Sequence, residues 1–431
     1  MGASRAVVVR HVTRIEGHGN IVVDLEGDVV KRCDLEIVEA PRFFEALLQG
    51  RPSDEAPRIA CRICGICSVG HATASVHAVE AALGITPGPK LQLVRRLNMA
   101  GEWLQSHILH VCFLVAPDAL GAPSIVPLVG SHPDVVKRAL RLKRLANDIC
   151  CTVSGRHVMP ISYHAGWMGH WPDRAALRTL QEGLIAAAED LDALVELFAG
   201  LHWPAVERRA EHLASLEPGG AYPMMCGPLH STGGGVTAPE AYGDVLHEYL
   251  VDHSASKHVR GSGGGGGGGG GTIRVGALAR YALAHGRLHP RAREAAARLA
   301  LRPDSANPFD FVAAQVVESV QAHQEAVDAV TALLADPAPE EPARAARPEG
   351  GRGVGMVEVP RGTLVHDYTI GADGRIAAAN CIIPTSQNLA SIEADMRAFL
   401  PALLGKASPE IAHALEMLVR AYDPCVSCSV H

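Results

Sequence analysis

The chain has 431 residues, 48% hydrophobic and 20% charged, which is enough to bury a large core. A formal net charge of −7 lacks the basic surplus expected of a nucleic-acid binder. Eleven cysteines are too sparse for a disulfide scaffold, and no apolar run reaches the roughly 18 to 20 residues of a membrane span.

The N-terminus has no long apolar stretch of the kind a secretory signal needs. Residues 7–9 and 21–25 are rich in β-branched side chains, Glu26-Gly27-Asp28 supplies turn chemistry, and residues 35–38 follow as a further strand. From about residue 54 to 198 the period becomes helical. Leu93, Leu97, Ala100, Leu104, Ile108, Val111 and Val115 recur every three or four residues. Val135, Ala139, Leu142, Ala146, Ile149 and Val153 repeat the pattern, as do Leu177, Leu180, Leu184, Leu191 and Phe198. Pro89, Pro133 and Pro172 stand just before these stretches, where a helix tolerates proline. Three long striped helices must cover one another, which predicts a central bundle.

Ser262 is followed by nine glycines, a run that reads as a surface loop, since it lacks both the GK[ST] ending and the GxGxxG context of phosphate loops. Val312, Val316, Val320, Val327, Val330 and Leu334 predict another helix. Residues 336–353 read as a solvated loop. Residues 363–370 and 376–383 flank Gly371-Ala372-Asp373-Gly374 as a hairpin, and a single last helix is expected over 386–420. The fold class is therefore mainly α with α+β ends. A β-rich layer (1–52) precedes a helical bundle (53–335, with the glycine loop at 261–271). A loop (336–353) and a hairpin, helix and cysteine motif (354–431) complete one large domain, 1–431.

Cys64-Gly65-Ile66-Cys67 and Cys425-Val426-Ser427-Cys428 are two CxxC pairs at opposite ends of the chain. Each places two soft sulfurs close together, as chelation of one metal requires. Redox pairs, or one four-cysteine zinc site tying the ends together, fit the same spacing.

The context narrows this. Thr13-Arg14-Ile15-Glu16-Gly17-His18 comes first, Arg62-Ile63-Cys64-Gly65-Ile66-Cys67-Ser68-Val69-Gly70-His71 second, and Asp423-Pro424-Cys425-Val426-Ser427-Cys428-Ser429-Val430-His431 last. Together they resemble the RIEGH, RxCGxCxxxH and DPCxxCxxH signatures of the nickel–iron hydrogenase large subunit. Pro41-Arg42-Phe43-Phe44-Glu45, Gln49-Gly50-Arg51-Pro52, Pro360-Arg361-Gly362 and Ile383-Pro384-Thr385 look like further family segments. The resemblance spans nearly the whole chain and is closest to the cytoplasmic, multi-subunit branch with NADP-linked and heterodisulfide-reductase-linked enzymes. The glycine run departs from the family but lies away from every cysteine motif. The quinone-linked subunit of respiratory complex I shares the fold but has lost the cysteines, which here are intact.

The resemblance implies a nickel–iron large-subunit fold and reversible heterolytic cleavage of H2. Cys64 and Cys425 would be terminal nickel ligands, with Cys67 and Cys428 bridging to an iron that carries CO and CN. Arg361 and Thr385 would donate hydrogen bonds to the cyanides, and His71 would donate near a bridging sulfur. Glu16 would be the first proton acceptor, beside Cys425; a surface ion pair with Arg14 or His18 is the plainer reading of that carboxylate. Glu45, the carbonyl of Cys381 and the ring of His431 would hold Mg2+. The other six cysteines, Cys33, Cys61, Cys112, Cys150, Cys151 and Cys226, have no cluster-forming spacing and read as small buried apolar residues. Electrons would therefore leave through an iron–sulfur small subunit, then through further flavin or iron–sulfur subunits. The chain stops directly after the last motif, which the resemblance reads as the product of a maturation endoprotease.

Overall fold

The computed structural model describes residues 4–262 and 271–431; the loop reading of the glycine run falls largely on 263–270, outside the described residues. Strands β1 (Ser4–Val9), β2 (Gly19–Glu26) and β3 (Val29–Ile37) form an antiparallel sheet, with the expected turn at Gly27 between β2 and β3. Strand β3 starts six residues before the position the sequence suggested. Its first half carries Lys31 and Arg32 and is largely exposed, so no apolar alternation marks it.

Two short helices, α1 (Phe44–Leu48) and α2 (Ala56–Ala60), lead through the first cysteine loop into α3 (Ser68–Leu83), which is buried almost all round. Helix α4 (Pro89–Ile108) runs on through a π-helical turn (Leu109–Val115) into α5 (Ala116–Ala119), so its apolar stripe outlasts the regular helix. Then come α6 (Ile125–Ser131), α7 (Pro133–Ser154), the small hairpin β4 (Tyr163–His164) and β5 (Trp167–Met168), and α8 (Arg174–Ala199). Pro89 and Pro133 are the first residues of their helices. Pro172 instead precedes Asp173, whose carboxylate caps α8 by accepting the Ala176 N–H at 2.8 Å.

The helical bundle expected over 53–335 is interrupted by strands. Between α8 and the next helix lie β6 (Glu211–Ser215), β7 (Leu229–Ser231), β8 (Val236–Thr237), β9 (Leu246–Tyr249), β10 (His258–Gly261) and β11 (Ile273–Arg274). These strands are too short to leave a period-2 signal. The helices resume with α9 (Ala277–Ala284), α10 (Pro290–Arg298) and α11 (Asp310–Ala335), and α11 packs against both α4 and α8.

The C-terminal part corrects two further expectations. The hairpin β13 (Gly362–Ile370) and β14 (Ile376–Ile382) has a third strand, β12 (Gly351–Val359), paired along all of β13. The loop thus ends at Gly350, and it is anchored: Glu340 accepts the backbone N–H groups of Lys90 and Leu91 at the start of α4. A Cβ added at Gly353 or Gly355 would run into the α3 backbone at Ala78 or Ala74, so the glycines that make β12 read as loop are what let it lie on α3. The single last helix is two, α12 (Pro384–Phe399) and α13 (Ser408–Ala421), broken around Pro401 and Gly405, before a last turn α14 (Val426–Ser429).

Candidate metal centre

The first cysteine loop leads into α3, the second pair has Cys425 at the N-cap of α14 and Cys428 within it, and the fold brings the two pairs together. All four cysteines are at most 3% exposed. Cys64 Sγ lies 3.5 Å from Cys425 Sγ, and the sulfurs of Cys425 and Cys428 are in contact, with Cα atoms 5.5 Å apart. Two thiolates about 2.3 Å from a shared ion lie roughly 3.3–3.8 Å apart, so the Cys64–Cys425 spacing suits a common metal. Arg42 ties the two loops, donating to Ile63 O at 2.7 Å and to Ser427 O at 2.5 Å.

The thiols are not equivalent. Burial opposes the Cys64 thiolate, but its hydrogen bond with Cys67, the charge of Arg361 and the N–H groups of Cys67 and Ile66 outweigh it and lower the pKa. Cys67 is pushed well up in turn, by that same hydrogen bond and by burial.

Arg361 stands in the turn between β12 and β13, which the fully buried Arg280 holds from behind by donating to Val359 O and Pro360 O, both at 2.9 Å. Its Nη1 donates to Cys67 Sγ at 3.1 Å and to Ser106 Oγ at 3.2 Å. Nε and Nη2 donate to Asp423 O and Asp423 Oδ1, each at 2.7 Å. Burial works against this guanidinium, yet Asp423 and the sulfurs hold its pKa above the ordinary value. Asp423 adopts a left-handed φ of 53°, which turns the chain just ahead of Pro424. Thr385, in the first turn of α12, accepts the Cys425 N–H at 3.0 Å and keeps its hydroxyl proton to donate.

Glu16 is in no ion pair among the described residues. Arg14 pairs with Asp118 and His18 with Glu39. The Glu16 carboxylate instead lies at Cys425, with Oε2 3.2 Å from its sulfur and 3.0 Å from the Ser427 N–H it accepts, while Oε1 accepts the Ser427 hydroxyl. The backbone is held as well, since Glu16 O accepts the Val426 N–H at 2.9 Å. Gly17 makes this approach possible. Its φ is 85°, and a Cβ there would stand 2.7 Å from Val426 Cβ.

Glu45, Cys381 and His431 also meet. Glu45 Oε1 accepts the Cys381 N–H at 2.9 Å and lies 3.3 Å from His431 Nε2. In an antiparallel ladder a residue's N–H and C=O face the same side, so the Cys381 carbonyl also points away from β13 toward Glu45. Burial opposes the Glu45 carboxylate, but its bonds from His431 and Cys381 lower its pKa overall. Burial drives the Cys381 thiol well up, which leaves its carbonyl as the usable donor.

His71 Nδ1 lies 3.0 Å from His366 Nε2, and burial pushes its pKa well down. Sequence reasoning gave no role to Asp423 or Ser427, although both lie inside the last motif. It also missed Glu102, whose carboxylate caps the start of α3 by accepting the Val69 and Gly70 N–H groups at 2.5 and 2.8 Å. No spacing in the sequence marks Glu102. Cys33, Cys61, Cys112 and Cys150 are buried, and burial raises the thiol pKa of Cys33 and Cys112 to about 12 and that of Cys61 to about 11. Cys151 and Cys226 are only partly buried, contrary to expectation.

The family profile described as Nickel-dependent hydrogenase matches residues 42–126 and 270–431, more than half of the chain, and a HoxL-like profile matches residues 6–40. The chain belongs to the nickel-dependent hydrogenase family. The alpha subunit of sulfhydrogenase 1 from Pyrococcus furiosus is 32% identical over 99% of this chain and 97% of the relative. A subunit of the F420-non-reducing hydrogenase of Methanothermobacter marburgensis is 30% identical over 97% and 93%. An NAD+-reducing [NiFe]-hydrogenase in the H2-reduced state superposes with a TM-score of 0.88 at 26% identity, covering 99% of each chain. The [NiFeSe]-hydrogenase of Dm. baculatum shares the fold, with a TM-score of 0.79 at 21% identity over 100% of each chain. This hydrogenase is thus an oxidoreductase acting on H2, and the four-cysteine zinc scaffold is set aside. The residues fit the metal the family requires: the buried sulfurs of Cys64, Cys425 and Cys428 lie within 4.8 Å of one another with Cys67 hydrogen-bonded to Cys64, a guanidinium offsets thiolate charge, and a carboxylate reaches one sulfur. No helix among the described residues is long and apolar enough to cross a membrane.

Proposed function

We propose that Cys64, Cys67, Cys425 and Cys428 hold the nickel–iron centre, with Cys67 and Cys428 as the bridging pair. When bound, that centre supplies the redox and Lewis-acid chemistry that splits H2. The carrying observation is the contact between Cys425 Sγ and Glu16 Oε2 at 3.2 Å, because heterolysis needs a base within hydrogen-bond reach of the proton. Cys425 Sγ receives the proton and Glu16 Oε2 takes it on. Ser427 holds that carboxylate in place through its N–H and hydroxyl, and the partial exposure of Glu16 gives the proton a way out. Arg361, beside Cys67 Sγ, and the Thr385 hydroxyl, beside the Cys425 N–H, would donate to the CN ligands of iron, and Arg361 also offsets thiolate charge. Glu45, the Cys381 carbonyl and His431 would hold Mg2+ behind the C-terminal motif, and His71, through His366, stiffens β13, the strand paired with the one that carries Cys381.

The relatives are named as subunits, and the cysteines outside the two CxxC pairs have no cluster-forming spacing. Electrons therefore pass to an iron–sulfur small subunit, then onward to flavin or iron–sulfur subunits, in a cytoplasmic complex. A maturation endoprotease acting on a precursor is the remaining partner that the family resemblance implies.

Metal analysis joined to infrared spectroscopy tests the site. The purified complex is expected to hold one nickel and one low-spin iron per chain, with bands from bound CO and CN, and Cys428→Ala is expected to lose both. Retention of nickel and of the bands in Cys428→Ala would overturn the ligand assignment.

A further inference from the structure

A second group of metal-type ligands lies outside this centre. His253, in the loop between β9 and β10, His258, at the start of β10, and Glu393, on α12, bring one ligand atom each to within 4.8 Å of one another. His253 Nε2 is 2.7 Å from Glu393 Oε1. His258 is 1% exposed, yet neither ring nitrogen has a hydrogen-bond partner among the described residues. A buried imidazole with both nitrogens unsatisfied is costly unless something on that side completes it. We propose that His253, His258 and Glu393 bind a divalent transition ion of the zinc class, separate from the nickel–iron and magnesium sites.

The chemistry selects that class. Two imidazoles and one carboxylate suit zinc or a similar borderline ion, whereas magnesium and calcium prefer oxygen throughout. The side chains of His253 and Glu393 are 20% and 16% exposed, so ions can reach the site and water can take a fourth position. The three ligands come from the β9–β10 loop, the start of β10 and α12, and β10 packs along α12. Glu393 also accepts the Leu35 N–H at 3.0 Å, so a bound ion would link β3, the β9–β10 loop and α12.

That linkage reaches the cysteine motif. Ser256, two residues before His258, donates to Ser429 O at 3.0 Å and sits 3.3 Å from Ser386 Oγ. Ser429 follows Cys428, and Ser386 follows Thr385. The ion would therefore brace the backbone behind the C-terminal cysteine pair without touching the reacting atoms.

The test uses purified holoenzyme, washed with a chelator mild enough to leave nickel in place and then dialysed against Zn2+ alone. About one zinc per nickel is expected in the parent. His253→Gln, at the partly exposed position, and His258→Phe, which fills the buried one, are each expected to weaken zinc binding on the order of 100-fold or more. Nickel, iron and the CO and CN bands should be unchanged in His253→Gln. Cobalt in place of zinc should give the visible bands of a four-coordinate site in the parent, absent from His253→Gln. A parent that takes up no zinc beyond nickel and iron, or a His253→Gln variant that binds it as tightly as the parent, would overturn the proposal and leave a buried hydrogen-bonded pair.

Discussion

Arg361 makes four hydrogen bonds from three nitrogens, to Cys67, Ser106 and twice to Asp423. Lysine keeps the charge but gathers its donors on one nitrogen, which cannot span a sulfur and a carboxylate in this geometry. Arg361→Lys is therefore expected to keep nickel but lower H2-dependent dye reduction by about tenfold or more, the scale of losing one or two charge-assisted hydrogen bonds. A parental rate would show that only the charge is used. Gly17 is constrained differently, through its φ of 85° and its packing on Val426. Gly17→Ala is expected to displace Glu16 and to lower the melting temperature, since the strain is of order 1–3 kcal/mol. An unchanged melting temperature and unchanged activity would show that the loop has room to spare.

The turn that carries Arg361 depends on the elements behind it. Arg280 of α9 lies in an ion network that is fully buried, pairing with Glu318 of α11 at 2.6 Å and Glu358 of β12 at 2.8 Å, its guanidinium 4.2 Å from the Trp103 ring. Arg280→Met would strand two carboxylates without a counter-charge, a loss of about 3–5 kcal/mol, readable as a lower melting temperature. Strand β6 carries a pH-dependent element. Burial, with Arg274 and Arg208 beside it, holds the His212 pKa down at about 3. The unfolded chain therefore takes up a proton below about pH 6.5 that the folded chain refuses, so stability is complete above that pH and falls as pH drops toward 3. His212→Gln is expected to reduce the loss between about pH 7 and pH 5 by up to about 1.4 kcal/mol per pH unit, measured as a smaller fall in melting temperature. These elements also show what the sequence made legible. The stripes on α4, α7, α8 and α11 were readable because each buries one face over many turns. Strand β12 was hidden because its glycines serve a close approach to α3, and the short strands between α8 and α9 are held by tertiary pairing too local to leave a pattern.

At the scale of the whole molecule, residues near both ends of the chain meet in one buried cluster, and a metal bound there would tie the loop before α3 to the segment after α13, on which the Glu16 loop rests. Metal binding free energy at such a junction is folding free energy, so chain lacking nickel and iron is expected to melt well below the holoenzyme. Equal melting temperatures would mean that the cluster is preformed without them. The cysteine pairs were legible because chelation fixes their spacing. Their supporting contacts were not, because Glu102, Ser106 and Arg280 are brought in by helix packing and carry no motif. Deuterium exchange in the Glu16→Gln holoenzyme tests the proton route most directly. The amide keeps the shape and, with its oxygen at the Ser427 N–H, a contact with Ser427, but it is no longer a carboxylate able to take up the proton. Nickel, iron and the CO and CN bands should be retained, while exchange between D2 and solvent protons falls to a small fraction of the parent rate. Exchange at the parent rate, with the metals intact, would contradict Glu16 as the first acceptor.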